Sequence, residues 1–191
     1  ELSSYQLDDI NYSPHIGVLL NISEEHIDYH GSYANYLHAK QRIAYHMTDK
    51  DYLLFNSRFR ELGSLPFDTK AMRIPLRARF ALSDEAFMET ERFHVDDLSA
   101  VDTIADLMDI SPDIVKKAIA TFVSLPHRLE QIGTYKGVRF INDSASSNPV
   151  SAQFALSRIK NVQTIILGGL DRGYDVNDLI KGLITSPVKN I

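Results

Sequence analysis

The 191-residue sequence contains no cysteine. That excludes a disulfide framework and any thiolate nucleophile or thiolate metal site, and it fits a reducing compartment. No run of about 18 apolar residues occurs, so no membrane-spanning helix is expected. The first residues lack a basic region followed by an apolar stretch, so no signal peptide is expected. There is no basic tract, and the net charge is −5 with a pI near 5.8. Electrostatic attraction to nucleic acid or to an anionic membrane is therefore not expected. The phosphate-loop pattern G-x-x-x-x-G-K-[ST] is absent too. If the protein uses ATP, the residues that cradle its phosphates lie outside this sequence. Internal repeats and low-complexity segments are also lacking.

What is present suits a soluble globular protein of one or two domains, with 44% hydrophobic and 24% charged residues. Both ends look like cuts through longer elements: "ELSSYQL" starts in mid-pattern, and "SPVKNI" approaches a strand it does not complete. The sequence is expected to be a fragment.

"HIGVLLNIS" (15–23) and "DYLLFNS" (51–57) read as buried strands, rich in apolar residues and bounded by polar ones. "AMRIPLR" and "RFALSD" could be short strands, with Pro75 arguing against a central one. "EEHIDYHGS" (24–32) reads as a polar loop. "DDLSAVDTIADLMDI" (96–110) is helical by period, and "SPDIVKKAIATFVSL" (111–125) follows with Ser111 as cap and Pro112 in the first turn. A domain boundary is expected near residue 125. Beyond it, "KGVRFIND", "VSAQFALSRI", "VQTIILGG" and "VNDLIKGLI" alternate strand and helix, which predicts a βαβ unit with a parallel sheet. Ligands gather outside the carboxyl ends of strands in such sheets. The segments 22–31, 143–148 and 169–174 are therefore the candidate site loops.

"SYANYLHAKQRIAYHM" (32–47) predicts a helix with a misplaced lysine. At about 100° per residue, Tyr33, Tyr36, Leu37, Ile43, Ala44 and Met47 share one face, while Asn35, His38, Gln41 and Arg42 face away. Lys40 falls within the apolar stripe. Either its stem lies on apolar surface while the ammonium reaches solvent, or the amine lines a site. In the second case desolvation lowers its pKa and frees a nucleophilic, modifiable amine.

Three further patterns carry chemistry. His26, Asp28 and His30 alternate along one segment, as ligands of a divalent cation or as ordinary polar residues. "FINDSASSNP" places polar groups where a helix begins, for anion binding or for plain capping by Ser147 or Asn148. "LGGLDRG" sets Arg172 beside glycines, as a two-pronged carboxylate clamp or as part of a tight turn with a solvated salt bridge.

"ELSSYQL", "NISEEHIDYHGSYANYLHAKQRI", "LPHRLE", "GVRFINDSASSNP" and "LGGLDRG", in this order, resemble the Mur ligase family across nearly the whole chain. The resemblance implies an α/β fold: residues 1–124 as the second half of a central ATPase domain, and 125–191 as the first part of a Rossmann-like C-terminal domain. A UDP-binding domain and the phosphate loop would lie upstream. It implies an ATP-dependent amide ligase of peptidoglycan precursor synthesis in the bacterial cytoplasm, a monomer whose fragment alone is inactive. "FINDS" and "GGLDRG" favour the member that adds D-glutamate to UDP-N-acetylmuramoyl-L-alanine through an acyl phosphate. By position, Glu1, His26 and Lys40, the last as a carbamate, match magnesium ligands, with His26 and Lys40 central to catalysis. Ser3, Ser4, Gln6, Asn21 and Tyr36 would lie near the nucleotide sugar; Arg128, Asp143 and Asp97 near ATP; Ser147 and Arg172 near D-glutamate. The sequence departs from the family pattern N-D-S-K-[AS]-T-N, with Ala145 at the lysine and Ser147 at the threonine. In "FHVDD", Asp97 stands where the family carries an asparagine near adenine. The alternatives are another amide ligase of the superfamily, resembling folylpolyglutamate synthase, or a non-catalytic nucleotide- or carboxylate-binding module.

Overall fold

The computed structural model describes residues 1–59, 62, 68–77 and 95–191. Described residues up to Ala120 form one compact unit, and those from Thr121 onward form a second. The suggested strand "RFALSD" lies outside the described residues.

The first unit is built on three parallel strands, β1 (Ile16–Leu19), β2 (Tyr52–Phe55) and β3 (Met72–Pro75), in that spatial order. Ile16 pairs with Tyr52 and Tyr52 with Met72. In β2 the adjacent Leu53 and Leu54 are both fully buried. Neighbouring strand residues point to opposite faces, so both faces of the central strand are covered, as a parallel sheet requires. Pro75 stands opposite Phe55 in β3, which has a neighbour on one side among the described strands. A missing N–H is tolerated at such a place.

Helix α1 (Ser4–Asp8) precedes β1, and α2 (Ile27–His30) and α3 (Tyr33–Gln41) follow it. Leu7, Ile10, Leu19, Ile22, Tyr36, Ile43, Ala44, Met47, Leu53 and Leu62 form one apolar core. Ser32 caps α3 as expected, its hydroxyl accepting from the Asn35 N–H at 3.2 Å. The predicted continuous helix to Met47 is shorter in the structure: Arg42–Ala44 tighten into a 3₁₀ turn, a common way for an α-helix to end. The Arg42 guanidinium donates to the Ile10 carbonyl at 2.9 Å and fastens this turn to the segment after α1. A Cβ on Gly17 would lie 2.6 Å from the Met47 methyl carbon, so the glycine lets that turn lie against β1. Helices α4 (Val95–Leu107) and α5 (Pro112–Thr121) bury Leu98, Ala105, Val115 and Ile119 against one another, with Ile110 at the turn.

The second unit departs from the sequence expectation. Its strands β4 (Glu130–Tyr135) and β5 (Val138–Asn142) form an antiparallel hairpin. The hairpin turns at Lys136 and Gly137, with φ of 51° and 79°. Two positive-φ residues at a tight turn match the twist of the flanking strands. Helices α6 (Pro149–Arg158) and α7 (Asn177–Thr185) follow, and the Gln153 amide donates to the Asp178 carbonyl at 3.3 Å. "VQTIILGG" forms no regular strand: its ladder is the single parallel bridge between Thr164 and Asn190. Ile166 is 94% exposed, so no described neighbour covers the apolar pattern that reads as a buried strand. The expected βαβ parallel sheet is thus replaced, among the described residues, by a hairpin and an isolated bridge.

Candidate functional site

Of the site residues of the first unit, Asn21 and His26 lie in the segment that leaves the carboxyl end of β1. Asn21 is exposed just past the strand. The next segment is not the loop expected: Ile27–His30 form α2, with His26 as its cap at φ 57° and Gly31 closing it at φ 74°. This changes the fate of the His26, Asp28 and His30 pattern. Residues two apart on a helix point about 200° apart at 100° per residue. Asp28 is accordingly exposed while His30 is 7% exposed and turned inward. Among the described residues no three His, Asp or Glu side chains converge tightly enough to hold a metal by themselves. The three residues therefore do not form the metal site that their spacing suggested.

What the fold brings to His26 instead is Tyr5 and Glu25. The Tyr5 hydroxyl shares a 3.0 Å hydrogen bond with Nδ1 of His26, and the rings lie 4.8 Å apart. The other ring nitrogen, Nε2, lies 3.9 Å from Oε2 of Glu25. Tyr5 is presented by α1, whose first turn is set by a reciprocal pair. The Gln6 N–H donates to Ser3 Oγ at 3.2 Å, and the Ser3 N–H donates to Gln6 Oε1 at 2.9 Å. Ser3 and Gln6, expected near a substrate, thus also shape the helix. Ser4 is 1% exposed, and its hydroxyl has no hydrogen-bond partner among the described residues. Rings of Tyr5, Tyr29, His30, Tyr36 and Tyr33 continue the contacts across α1, α2 and α3 at centroid spacings of 4.4 to 6.1 Å.

Lys40 is half-buried, with Nζ 5.9 Å from the centre of the Tyr36 ring. Burial lowers its pKa, and the carboxylates of Glu25 and Glu1 act in the opposite sense. The amine thus lies over the Tyr36 ring and feels the charge of both carboxylates. Tyr36 is 4% exposed, and burial, Glu25 and Tyr33 push its phenol up to about 12. It stays a neutral ring beneath the amine. Glu25 and Tyr5 were not singled out from the sequence. The signal for Glu25 was its place beside His26; Tyr5 gave none until α1 and α2 were seen to pack.

The donor set suits a hard divalent cation. An imidazole nitrogen and a carboxylate oxygen 3.9 Å apart are donor types that such a cation accepts.

In the second unit, hydrogen bonds bind "LPHR" to "NDS". Asp143 accepts from the Leu129 N–H at 3.0 Å through one oxygen and from the Ser146 hydroxyl through the other. The Ala145 N–H donates to the His127 carbonyl at 2.9 Å, and the side chains of Asn142 and His127 meet at 2.8 Å. His127 and Leu129 take positive φ of 66° and 48°, which this cross-bracing holds in place. Arg128, between them, is exposed, with no partner for its guanidinium among the described residues. Asn148, rather than Ser147, caps α6, accepting from the Ser151 N–H at 2.9 Å. Ser147 is left exposed one residue before it. Arg172 is exposed as well, on a turn where Asp171 accepts from the Gly173 N–H at 2.8 Å. Among the described residues no ion pair forms at this turn, in contrast to the salt bridge offered as its plain reading. Asp97 is exposed in the first turn of α4. Its neighbour Asp96 is the buried one, meeting the Arg58 guanidinium at 3.3 Å.

Comparison with known proteins assigns the chain to a family. Residues 1–107 match the Mur ligase middle domain. The chain belongs to the Mur ligase family. Over 96% of its length it is 35% identical to a UDP-N-acetylmuramoylalanine--D-glutamate ligase of Streptococcus equi subsp. zooepidemicus, and 34% identical to the protein of that name from Streptococcus pyogenes serotype M5. In each case the match covers 45% of the relative, so the chain spans about half the length of the curated relatives it matches.

Proposed function

We propose that this chain is the central part of an ATP-dependent ligase that joins D-glutamate to UDP-N-acetylmuramoyl-L-alanine in the bacterial cytoplasm. The observation that carries the proposal is the half-buried Lys40, on which Glu25 and Glu1 act electrostatically while Glu25 lies 3.9 Å from His26, in a chain whose relatives bear that name over 96% of its length. The terminal carboxylate of the acceptor attacks the γ-phosphate of ATP and releases ADP, and the resulting acyl phosphate is opened by the D-glutamate amine with loss of phosphate. Such a reaction depends on alignment of three substrates and on offsetting charge that develops on oxygen.

His26, Glu1 and Lys40, the last as a carbamate, would hold a magnesium ion, with Glu25 beside them. When bound, the ion supplies positive charge next to the transferred phosphoryl group. Asn21 and Ser3 face the acceptor from the end of β1 and the start of α1. Gln6, which holds Ser3 in place, and the buried Ser4 and Tyr36 would lie near the nucleotide sugar with them. The exposed guanidinium of Arg128 meets the ATP phosphates, and Asp143 contributes by fixing its loop. Asp97 lies toward the adenine. Arg172 and Ser147 receive D-glutamate, the arginine as a clamp for a carboxylate. Ala145 removes the charge that a lysine would offer there. The second unit is the start of a Rossmann-like C-terminal domain in this reading, with a boundary near residue 125.

The test is product analysis with the complete protein. Incubation with ATP, magnesium, UDP-N-acetylmuramoyl-L-alanine and D-glutamate should raise the acceptor's mass by one glutamate residue. An acceptor mass unchanged with D-glutamate, or changed equally by unrelated amino acids, would overturn the assignment.

A further inference from the structure

We infer that Glu130 is a positioning residue for Arg128, holding the backbone that presents its guanidinium. The inference rests on the reading of Arg128 as a contact for the ATP phosphates. Glu130 opens β4 and pairs with Asn142, the last residue of β5. The open end of the hairpin thus carries two carboxylates, Glu130 and Asp143. Each takes a backbone N–H beside the arginine. Oε2 of Glu130 accepts from His127 at 2.8 Å, and Oδ1 of Asp143 accepts from Leu129 at 3.0 Å. A carboxylate accepting from an N–H makes a charge-assisted bond, roughly twice as strong as a neutral one.

The grip matters because this backbone is uphill. His127 and Leu129 take φ of 66° and 48°, left-handed values disfavoured for a residue with a Cβ. Released, they would return to ordinary φ and re-aim the residue between them. The backbone of Arg128 is held as well: its N–H donates to the Leu125 carbonyl at 3.3 Å, and its carbonyl accepts from the Ser124 hydroxyl at 3.1 Å. Glu130 stands two residues from Arg128, yet the two form no ion pair among the described residues. The carboxylate turns back to His127 instead, where Oε2 also lies 3.6 Å from Nδ1 of the ring. It places the guanidinium without competing with a phosphate for it.

Steady-state kinetics of the complete protein separate this role from plain stabilisation of the turn. Glu130→Ala should raise the KM for ATP about 10-fold, the loss expected when one charge-assisted contact is no longer held in place. The KM for D-glutamate should not change. Glu130→Gln keeps an oxygen that accepts from His127, and should restore most of the ATP affinity. Arg128→Ala should raise the KM for ATP as well, and adding Glu130→Ala to it should do little more, because the effect passes through the arginine. Amide hydrogen exchange at His127 should be slow in wild type and in Glu130→Gln, and faster in Glu130→Ala. Fast exchange at His127 in wild type overturns the inference even if Glu130→Ala does not fold. Where Arg128→Ala raises the KM for ATP, three results also overturn it: an unchanged KM in Glu130→Ala, a Glu130→Gln variant as impaired as Glu130→Ala, or a Glu130→Ala effect undiminished in the Arg128→Ala background. If exchange behaves as stated but Arg128→Ala leaves the KM for ATP unchanged, the ATP reading of Arg128 fails and the hold of Glu130 on its loop stands.

Discussion

The ammonium nitrogen of Lys40 sits 5.9 Å from the centre of the Tyr36 ring, four residues back on the same helix. A cation over an aromatic face is favourable, but burial on the same face works against its charge. Two carboxylates, Glu25 and Glu1, offset part of that effect, and burial remains the larger influence. The amine is thus poised by opposing influences, and each can be removed in turn.

Titration of Lys40 by NMR should give a pKa below that of the exposed lysines. Glu25→Gln removes an attraction that favours the ammonium, so the pKa should fall further. A rise, or no change, would show that Glu25 does not act on this amine.

Tyr36 should remain protonated through the range in which exposed tyrosines ionise, near pH 10, and titrate only at about 12. Ultraviolet difference titration of wild type against Tyr36→Phe isolates it. A difference signal centred near 10 would mean that the ring is open to solvent.

Asp51 accepts from the Thr48 N–H at 2.7 Å and meets His15 at 2.8 Å, and together these contacts pull its carboxyl down to about 2. A depressed folded-state pKa gives stability that is complete above the unfolded value, about 4, and fades as pH falls toward 2. Wild type should therefore exceed Asp51→Ala in urea melts at pH 5 to 6 by a margin that narrows steadily below pH 4. A margin independent of pH would contradict the assignment.

Leu53→Ala should cost about 2–5 kcal/mol, since it empties a fully buried position at the centre of the sheet. Val123→Ala, at a site 85% exposed, should stay within about 0.5 kcal/mol. Equal effects at the two sites in chemical denaturation would put the core elsewhere.

The helices were legible because their signals are local. Ser32 at a cap, Pro112 and Pro149 in first turns, and the apolar period of α4 each act within a few residues. The buried strands β1 and β2 were legible for the same reason. Of the β4–β5 hairpin only β5 was legible, within "KGVRFIND": β4 and the pairing were not, because the strands are largely exposed and the turn is marked by a single Lys-Gly pair. "VQTIILGG" has strand composition, but a ladder needs a partner, and Asn190 supplies one bridge only. The helical period located Lys40, whereas its surroundings depend on α1 and α2 folding back onto α3. The hydrogen bond between Tyr5 and His26 spans 21 residues, a contact that no local pattern encodes.

The most direct test of the account is phosphate release by the complete protein when each substrate is left out in turn. The account predicts release only when ATP, UDP-N-acetylmuramoyl-L-alanine and D-glutamate are all present, and its loss in Lys40→Ala. Release that is indifferent to D-glutamate, or undiminished in Lys40→Ala, would contradict it.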